Sequence, residues 1–168
     1  MGRELIVQVR DRQTKKVQYE DYICGRDDAT NYIAQLVYNR RATLPEINED
    51  SLGGTALSDR YSLIFNINNG AEMKELANIC SNLKEYADRD NAEIQKAKDT
   101  LEDLRAARRN CGIYEEFEKF SDAIDTTQQW LENEDYSRAG SLLDYLEDAQ
   151  RLAFNSNSNW EIIIELSE

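Results

Sequence analysis

The 168-residue chain contains no histidine. Histidine is the usual general base near neutral pH and the commonest metal ligand, so its absence excludes Ser-His-Asp triads, H-E-x-x-H zinc sites and Glu-x-x-His di-iron bundles. The chain also lacks a P-loop, a G-x-G-x-x-G fingerprint and a G-x-S-x-G nucleophile elbow. Carboxylate pairs can act alone, but among 33 acidic residues such pairs occur by chance. We therefore predict a non-enzymatic protein with no catalytic residue, no metal and no cofactor.

Cysteine and long apolar runs are also scarce. Cys24, Cys80 and Cys111 are far apart and lack C-x-x-C spacing, which indicates neither a disulfide framework nor a zinc site. No apolar run approaches the roughly 20 residues of a membrane span, and the first residues lack a signal-peptide core. We expect a cytoplasmic protein, in the host cell cytoplasm if the gene is carried by a phage, that does not contact a membrane.

Acidic residues are abundant, and most of their surplus lies in the second half of the chain. Residues 1–84 hold twelve acids and eleven bases, whereas residues 85–168 hold twenty-one acids and nine bases, a net charge of −12 out of −13. Such a surface repels nucleic acid and anionic membranes and attracts basic surfaces. The sequence therefore predicts a basic protein as the partner, most simply a nucleic-acid-binding protein, and no direct contact with nucleic acid.

The first 41 residues predict two strands followed by a helix. Residues 4–10 and 17–24 are rich in β-branched and aromatic residues and form a predicted hairpin. Its apolar face is expected to comprise Leu5, Val7, Val9, Val17, Tyr19 and Ile23. Asp27 or Asp28 can then cap a helix that extends to about Arg41.

The next segment contains the only proline and predicts a long loop over residues 42–60. Two further segments alternate apolar and polar residues, 61–68 and 160–167, and predict strands. Glu161 and Glu165 would lie on the outer face of the last strand. The four strands predict an antiparallel sheet with one apolar face that helices must cover.

The sequence predicts four helices within residues 71–156. Apolar three-four spacing continues from Met73 to Arg108, so one helix of 40 residues would satisfy it, but Asp90 and Glu93 have capping-box spacing. We predict a break there, because four antiparallel helices return the chain to the sheet. The third helix would bury Ile113, Phe117, Phe120, Ile124 and Leu131. The fourth would be capped by Asp135 and bury Ala139, Leu142, Leu143, Leu146, Ala149 and Ala153.

The predicted fold class is therefore α+β, in the order β-β-α-β-αααα-β. A four-stranded antiparallel sheet carries an acidic antiparallel helical bundle packed on or beside it. We treat residues 1–168 as one domain; the alternative is a sheet unit of residues 1–70 with 158–168 and a helical bundle of residues 71–156. The turn around residues 131–149 resembles that of a TPR-type helical hairpin, which implies only that these two helices form a hairpin.

The candidate partner-binding residues are eight acids of the last two predicted helices: Glu115, Glu118, Asp122, Asp125, Glu132, Asp144, Glu147 and Asp148. The first five follow helical spacing and form one outward stripe, with neighbouring charges about 5 to 6 Å apart. The bases Lys119, Arg138 and Arg151 each follow a glutamate by four residues, so we expect them in ion pairs with Glu115, Glu134 and Glu147. A solvated acidic face is the alternative interpretation of the same residues.

Three functional hypotheses follow. The first is an inhibitor that mimics nucleic acid and blocks a DNA- or RNA-binding protein, by analogy of charge with phage anti-restriction and anti-CRISPR proteins. The second is a regulatory or scaffold protein that docks a protein partner, or a second copy of itself, through its helical bundle. The third is direct nucleic-acid binding, in which the basic residues Arg10, Arg12, Lys15, Lys16, Arg40 and Arg41 contact phosphate, although the charge of the whole chain opposes it. Trp130 and Trp160 fit a core position, although a partly exposed Trp among acids would anchor an interface.

Overall fold

The computed structural model describes residues 3–25, 27–43, 61–134, 136–155 and 159–167. Its strands are β1 (Arg3–Asp11), β2 (Val17–Gly25), β3 (Ser62–Asn66) and β4 (Trp160–Ser167), and its helices are α1 (Asp28–Thr43), α2 (Gly70–Arg109), α3 (Tyr114–Glu134) and α4 (Arg138–Phe154). The α+β class is therefore confirmed. Asp135 and residues 44–60 of the predicted loop lie outside the described residues.

The strands form the predicted four-stranded antiparallel sheet, and their order in it is β2-β1-β4-β3. Leu5 lies opposite Ile23 on one side and Leu166 on the other, so the odd-numbered residues of β1 share their face with the apolar residues of both neighbours. Because successive side chains of a strand point to opposite faces, this register produces one continuous apolar face. Its central residues are fully buried: Leu5, Val7, Val9, Ile162 and Ile164.

The β1–β2 turn departs from the predicted alternation. The register shifts between Val9 and Arg10, and Val17 lies opposite Arg10 with 41% of its surface exposed. The expectation that Val17 joins the apolar face is therefore wrong, because an irregularity in the ladder changes which residues share a face. In the turn, the Asp11 carboxylate accepts a hydrogen bond from the Thr14 backbone amide at 2.8 Å. This bond is the main cause that lowers the pKa of Asp11.

Two helices cover the apolar face of the sheet. α4 packs against β1, β2 and β4, and α1 packs against β3 and α4. The predicted inward residues of α4 are buried, with Leu143 half-buried. α1 begins where expected, because the Asp27 carboxylate accepts a hydrogen bond from the Thr30 amide at 3.2 Å and satisfies a free helix donor.

α2 is one uninterrupted helix of 40 residues, so the predicted break at Asp90 is wrong and three helices, not four, separate β3 from β4 in the described chain. Asp90 does not cap a helix. Its carboxylate instead accepts a hydrogen bond from the Ser137 hydroxyl at 2.7 Å. Leu83 and Ala87, which precede Asp90, and Ile94, which follows it, are all buried. The apolar spacing therefore supports a continuous helix, and a local capping signal without a turn residue does not end it.

The chain divides into two compact units, and the division passes through α2. Unit 1 comprises Met1–Tyr86 and Arg138–Glu168, and holds the sheet, α1, the first part of α2 and α4. Unit 2 comprises Ala87–Ser137, and holds the rest of α2 and α3. Within unit 2 these helices are antiparallel, because Arg108 lies near Ser121 while Asp90 bonds Ser137. None of the described helices is long and apolar enough to cross a membrane.

Candidate partner-binding surface

The acids predicted on the third helix all lie on α3, and all are exposed: Glu115, Glu118, Asp122, Asp125 and Glu132. α3 carries seven acids and one base, Lys119, a net charge of −6. The expected ion pair between Lys119 and Glu115 does not form. α3 also ends on Glu132 and Glu134 without a base in its last turn, although negative charge is unfavourable at the carboxyl end of a helix.

The buried side of α3 is narrower than its sequence predicts. Ile124 is the buried residue of this helix, whereas Ile113 just before it is 60% exposed and Phe117 is 43% exposed. The expectation that these two residues are buried is therefore wrong. The Arg108 guanidinium lies 5.7 Å from the centre of the Phe117 ring, a cation–π contact that covers only part of the ring.

The three candidate acids of α4 belong to the other compact unit. Asp144, Glu147 and Asp148 are exposed, as expected of an outward face. Arg151 pairs with Asp148 at 3.3 Å and not with Glu147, so the predicted pairing is wrong by one residue. The eight candidate residues therefore form two separate sets, five acids in unit 2 and three in unit 1.

The α4 acids also influence two groups of unit 1. Burial, together with the charges of Asp21 and then Asp148, raises the pKa of Tyr19 to about 12. Burial raises the pKa of the Cys80 thiol, and the charge of Glu147 adds to that effect. These acids therefore act on groups of their own unit.

Glu161 is not a surface acid. It lies directly opposite Arg10 in the β1–β4 ladder and is only 4% exposed. Its carboxylate accepts hydrogen bonds from Arg10 at 2.6 Å and from Lys15 at 3.1 Å. The expectation that Glu161 contributes to the outer acidic surface is wrong, because the strand register places a base beside it.

The same contacts weaken the phosphate-binding hypothesis. Arg10 and Lys15 are engaged by Glu161. The Arg40 guanidinium donates to the backbone carbonyl of Ser62, and Arg41 lies 4.4 Å from the centre of the Tyr61 ring. Four of the six basic residues therefore hold the fold of unit 1.

Unit 2 contains a groove that the sequence did not predict. It has a volume of about 400 Å³ and lies between α2 and α3, lined by Glu93, Lys96, Ala97, Thr100, Thr126, Thr127 and Trp130. Trp130 is 39% exposed, so it is neither a core residue nor fully solvated. The sequence does contain a signal for this groove. Thr126 and Thr127 precede Trp130 by four and three residues, and this spacing places all three side chains on one side of α3.

The threonines make the groove apolar. The hydroxyl of Thr100 donates to the Lys96 carbonyl at 2.8 Å. The hydroxyls of Thr126 and Thr127 donate to the Asp122 and Ala123 carbonyls at 3.0 and 2.9 Å. Because each hydroxyl bonds its own helix one turn back, the methyl groups remain to line the groove.

The described residues contain no group of three or more acids and cysteines close enough to hold a metal ion. All three cysteines are free thiols, and Cys24 is exposed. Trp160, the other tryptophan, is half-buried at the start of β4. The acidic surface of α3 and the groove are therefore the two features of the described chain from which a function can be argued.

No known family, curated protein or solved structure matches this chain.

Proposed function

We propose that this chain is an acidic, non-enzymatic binding protein whose partner is a basic protein, and that the outer surface of α3 makes the contact. The observation that carries the proposal is the exposure of five acids on one helix that has a single base. Like charges one helical turn apart repel each other and destabilise a helix by a few tenths of a kcal/mol per pair. A basic partner would neutralise them.

The surplus charge of unit 2 lies almost entirely on α3. Residues 87–137 hold fourteen acids and seven bases, a net charge of −7, and α3 contributes seven acids and one base, a net charge of −6. The part of α2 in this unit is close to neutral. A field of this kind accelerates association with a cationic surface, and the effect falls as ionic strength rises.

Two further parts of the proposal rest on composition. The non-enzymatic assignment rests on the absence of histidine and of nucleotide or nucleophile motifs. We also propose a cytoplasmic location, since three free thiols are typical of a reducing compartment. Fractionation of the native cell tests the location, and recovery of the protein outside the cytoplasm would contradict it.

A pulldown from native lysate tests the partner class. The tagged protein is incubated at about 50 mM and about 500 mM salt, since the higher concentration shortens the Debye length to roughly 4 Å. We expect a basic protein that binds at low salt and is lost at high salt. A partner of neutral or acidic charge, or the absence of any partner, would contradict the proposal.

Charge reversal then locates the surface. Asp122→Lys/Asp125→Lys should weaken binding of the identified partner about a hundredfold, because each reversal places like charges in contact. Asp144→Lys/Asp148→Lys makes the same charge change on α4 and should reduce binding much less. If only the α4 variant loses binding, the contact surface is on unit 1.

Nucleic-acid mimicry is the second candidate. The observation in its favour is the row of exposed carboxylates on α3, whose first four members are three or four residues apart and are therefore neighbours on the helix surface. A row of carboxylates of this kind can occupy a groove that offers Lys and Arg to phosphates. Mimicry predicts that added DNA or RNA displaces this protein from its partner, whereas a scaffold that docks elsewhere on the partner would stay bound.

A further inference from the structure

We propose that the groove beside Trp130 receives an amphipathic helix rich in Lys and Arg, with an apolar side chain of that helix seated against the indole. This inference rests on the proposed function and names the segment of the basic partner that is bound. Four observations carry it: the shape of the groove, its apolar lining, the hydrogen-bonding capacity of Trp130 and the charges around it.

The shape fits a helix. The groove lies between two antiparallel helices, and its lining on α2 extends from Glu93 to Thr100, about two turns or 10 Å. Side-chain ridges of a third helix pack into such a groove, and peptide helices dock in this way through residues spaced by three or four. A length of two turns accommodates two such side chains.

The lining fits apolar side chains. Three threonine methyl groups, Ala97 and the Trp130 ring line the groove, and the threonine hydroxyls are already bonded to their own helices. Tryptophan is enriched among the residues that contribute most to binding at protein interfaces. Trp130 makes no hydrogen bond within the described part of the chain, so its indole N–H can donate to the occupant.

The charges fit a basic segment. Trp130 stands on a ridge of α3 whose members are four residues apart: Glu118, Asp122, Thr126, Trp130 and Glu134. Acids therefore occur on both sides of the tryptophan along this ridge. On α2 the lining offers one acid, Glu93, and one base, Lys96. A helix with apolar residues on one side and Lys or Arg beside them is complementary to this arrangement.

Two synthetic peptides of identical composition provide the probe. One has leucine at positions spaced by three and four with lysine between them, and the other has the same residues in an order that disperses the leucines. Tryptophan fluorescence is read in the Trp160→Phe variant, which leaves Trp130 as the only tryptophan. We expect the amphipathic peptide to bind at least tenfold more tightly than the dispersed one and to shift the Trp130 emission.

Variants at the exposed Thr126 distinguish binding in the groove from binding through charge alone. Thr126→Glu adds a negative charge, which would strengthen a purely electrostatic contact, but it replaces a methyl with a carboxylate. We expect it to weaken binding of the amphipathic peptide about tenfold. Thr126→Val keeps the apolar lining and should bind like the parent protein. Trp130→Ala should weaken binding by a similar factor, with helicity by circular dichroism as the check that it remains folded.

The outcomes distinguish this inference from the proposed function. Equal affinity for both peptides, with tighter binding to Thr126→Glu, would overturn the groove and leave the acidic surface of α3 as the contact. If neither peptide binds while a basic partner still binds in the pulldown, the proposed role of the groove is wrong and the proposed function stands. A concentration-dependent dimer that Trp130→Ala abolishes would show that a second copy occupies the groove instead.

Discussion

The two compact units use apolar residues differently. Among the described residues, twenty-five hydrophobic side chains are buried, and only Ala87, Ile94 and Ile124 of these belong to unit 2. By contrast, five of the nine large hydrophobic residues with exposed surfaces belong to it: Ile113, Tyr114, Phe117, Trp130 and Tyr136. Unit 1 therefore has a core made by a sheet and its covering helices, whereas unit 2 has a small core and a large apolar surface.

This difference indicates where stability and binding reside. Burial of apolar surface is the dominant favourable contribution to folding, so unit 1 should contain most of the stability of the chain. Unit 2 combines exposed aromatic residues with the densest negative charge, a composition that favours contact with another molecule over self-burial.

The core of unit 1 should be the most sensitive region. Leu146 of α4 is fully buried, so Leu146→Ala should lower the free energy of unfolding by about 3 kcal/mol through lost burial and a cavity. Leu152 lies on the same helix but is 41% exposed, and Leu152→Ala should cost less than about 0.5 kcal/mol. Urea denaturation measures both. Equal losses would indicate that α4 is not the core helix.

The buried ion pair of unit 1 should give the next largest effect. Glu161→Gln removes the carboxylate that Arg10 and Lys15 contact, and we expect a loss of about 2 to 3 kcal/mol because the buried guanidinium loses its charged contact with this carboxylate. Glu20→Gln changes an exposed carboxylate of the same sheet and should be nearly neutral. Thermal unfolding of the two variants compares them, and a neutral result for Glu161→Gln would contradict its structural role.

Unit 2 should open more easily than unit 1. Backbone amides of α3 should exchange with solvent roughly a hundredfold faster than those of α4, since few apolar contacts hold α3 in place. Ile124→Ala should accelerate exchange further in α3 and leave α4 unchanged, because Ile124 is the buried residue of that helix. Hydrogen exchange followed by mass spectrometry measures both helices at once. Uniform protection would indicate that the two units unfold together.

The smallest expected effect concerns Tyr19, beside the acids of α4. Burial raises its pKa from 10.0 to about 12, which stabilises the neutral phenol in the folded state. The resulting stability is fully present below pH 10 and is lost as the pH rises from 10 to about 12. Tyr19→Phe should therefore make stability less dependent on pH in that range.

Tyr22→Phe is the matched control, because Tyr22 is 60% exposed on the same strand. Asp148→Asn should lower the pKa of Tyr19, since the Asp148 charge is among the causes that raise it. Tyrosinate absorbance during a pH titration measures the pKa directly. If Asp148→Asn leaves this pKa unchanged, α4 does not influence the Tyr19 phenol.

The sequence alone determined the sheet and most helix ends. The alternation in Ile162, Ile164 and Leu166 predicts a strand because a period of two matches only an extended chain. Asp27 predicts the start of α1 because a capping bond involves residues three positions apart. The exposure of the α3 acids follows equally from helical spacing. These features depend only on residues that are close together in the sequence.

The other features depend on contacts between residues that are far apart in the chain. The partner of Asp90 is Ser137, 47 residues away, so its capping-box spacing was misleading about a break in α2. Glu161 is buried because the strand register places Arg10, 151 residues away, beside it. The division of the candidate acids between two units depends on packing, as does the side of α3 that forms the Trp130 groove. Long-range contacts fix these features; periodicity shows which side chains share one side of a helix, as Thr126 and Trp130 do, but not what that side packs against.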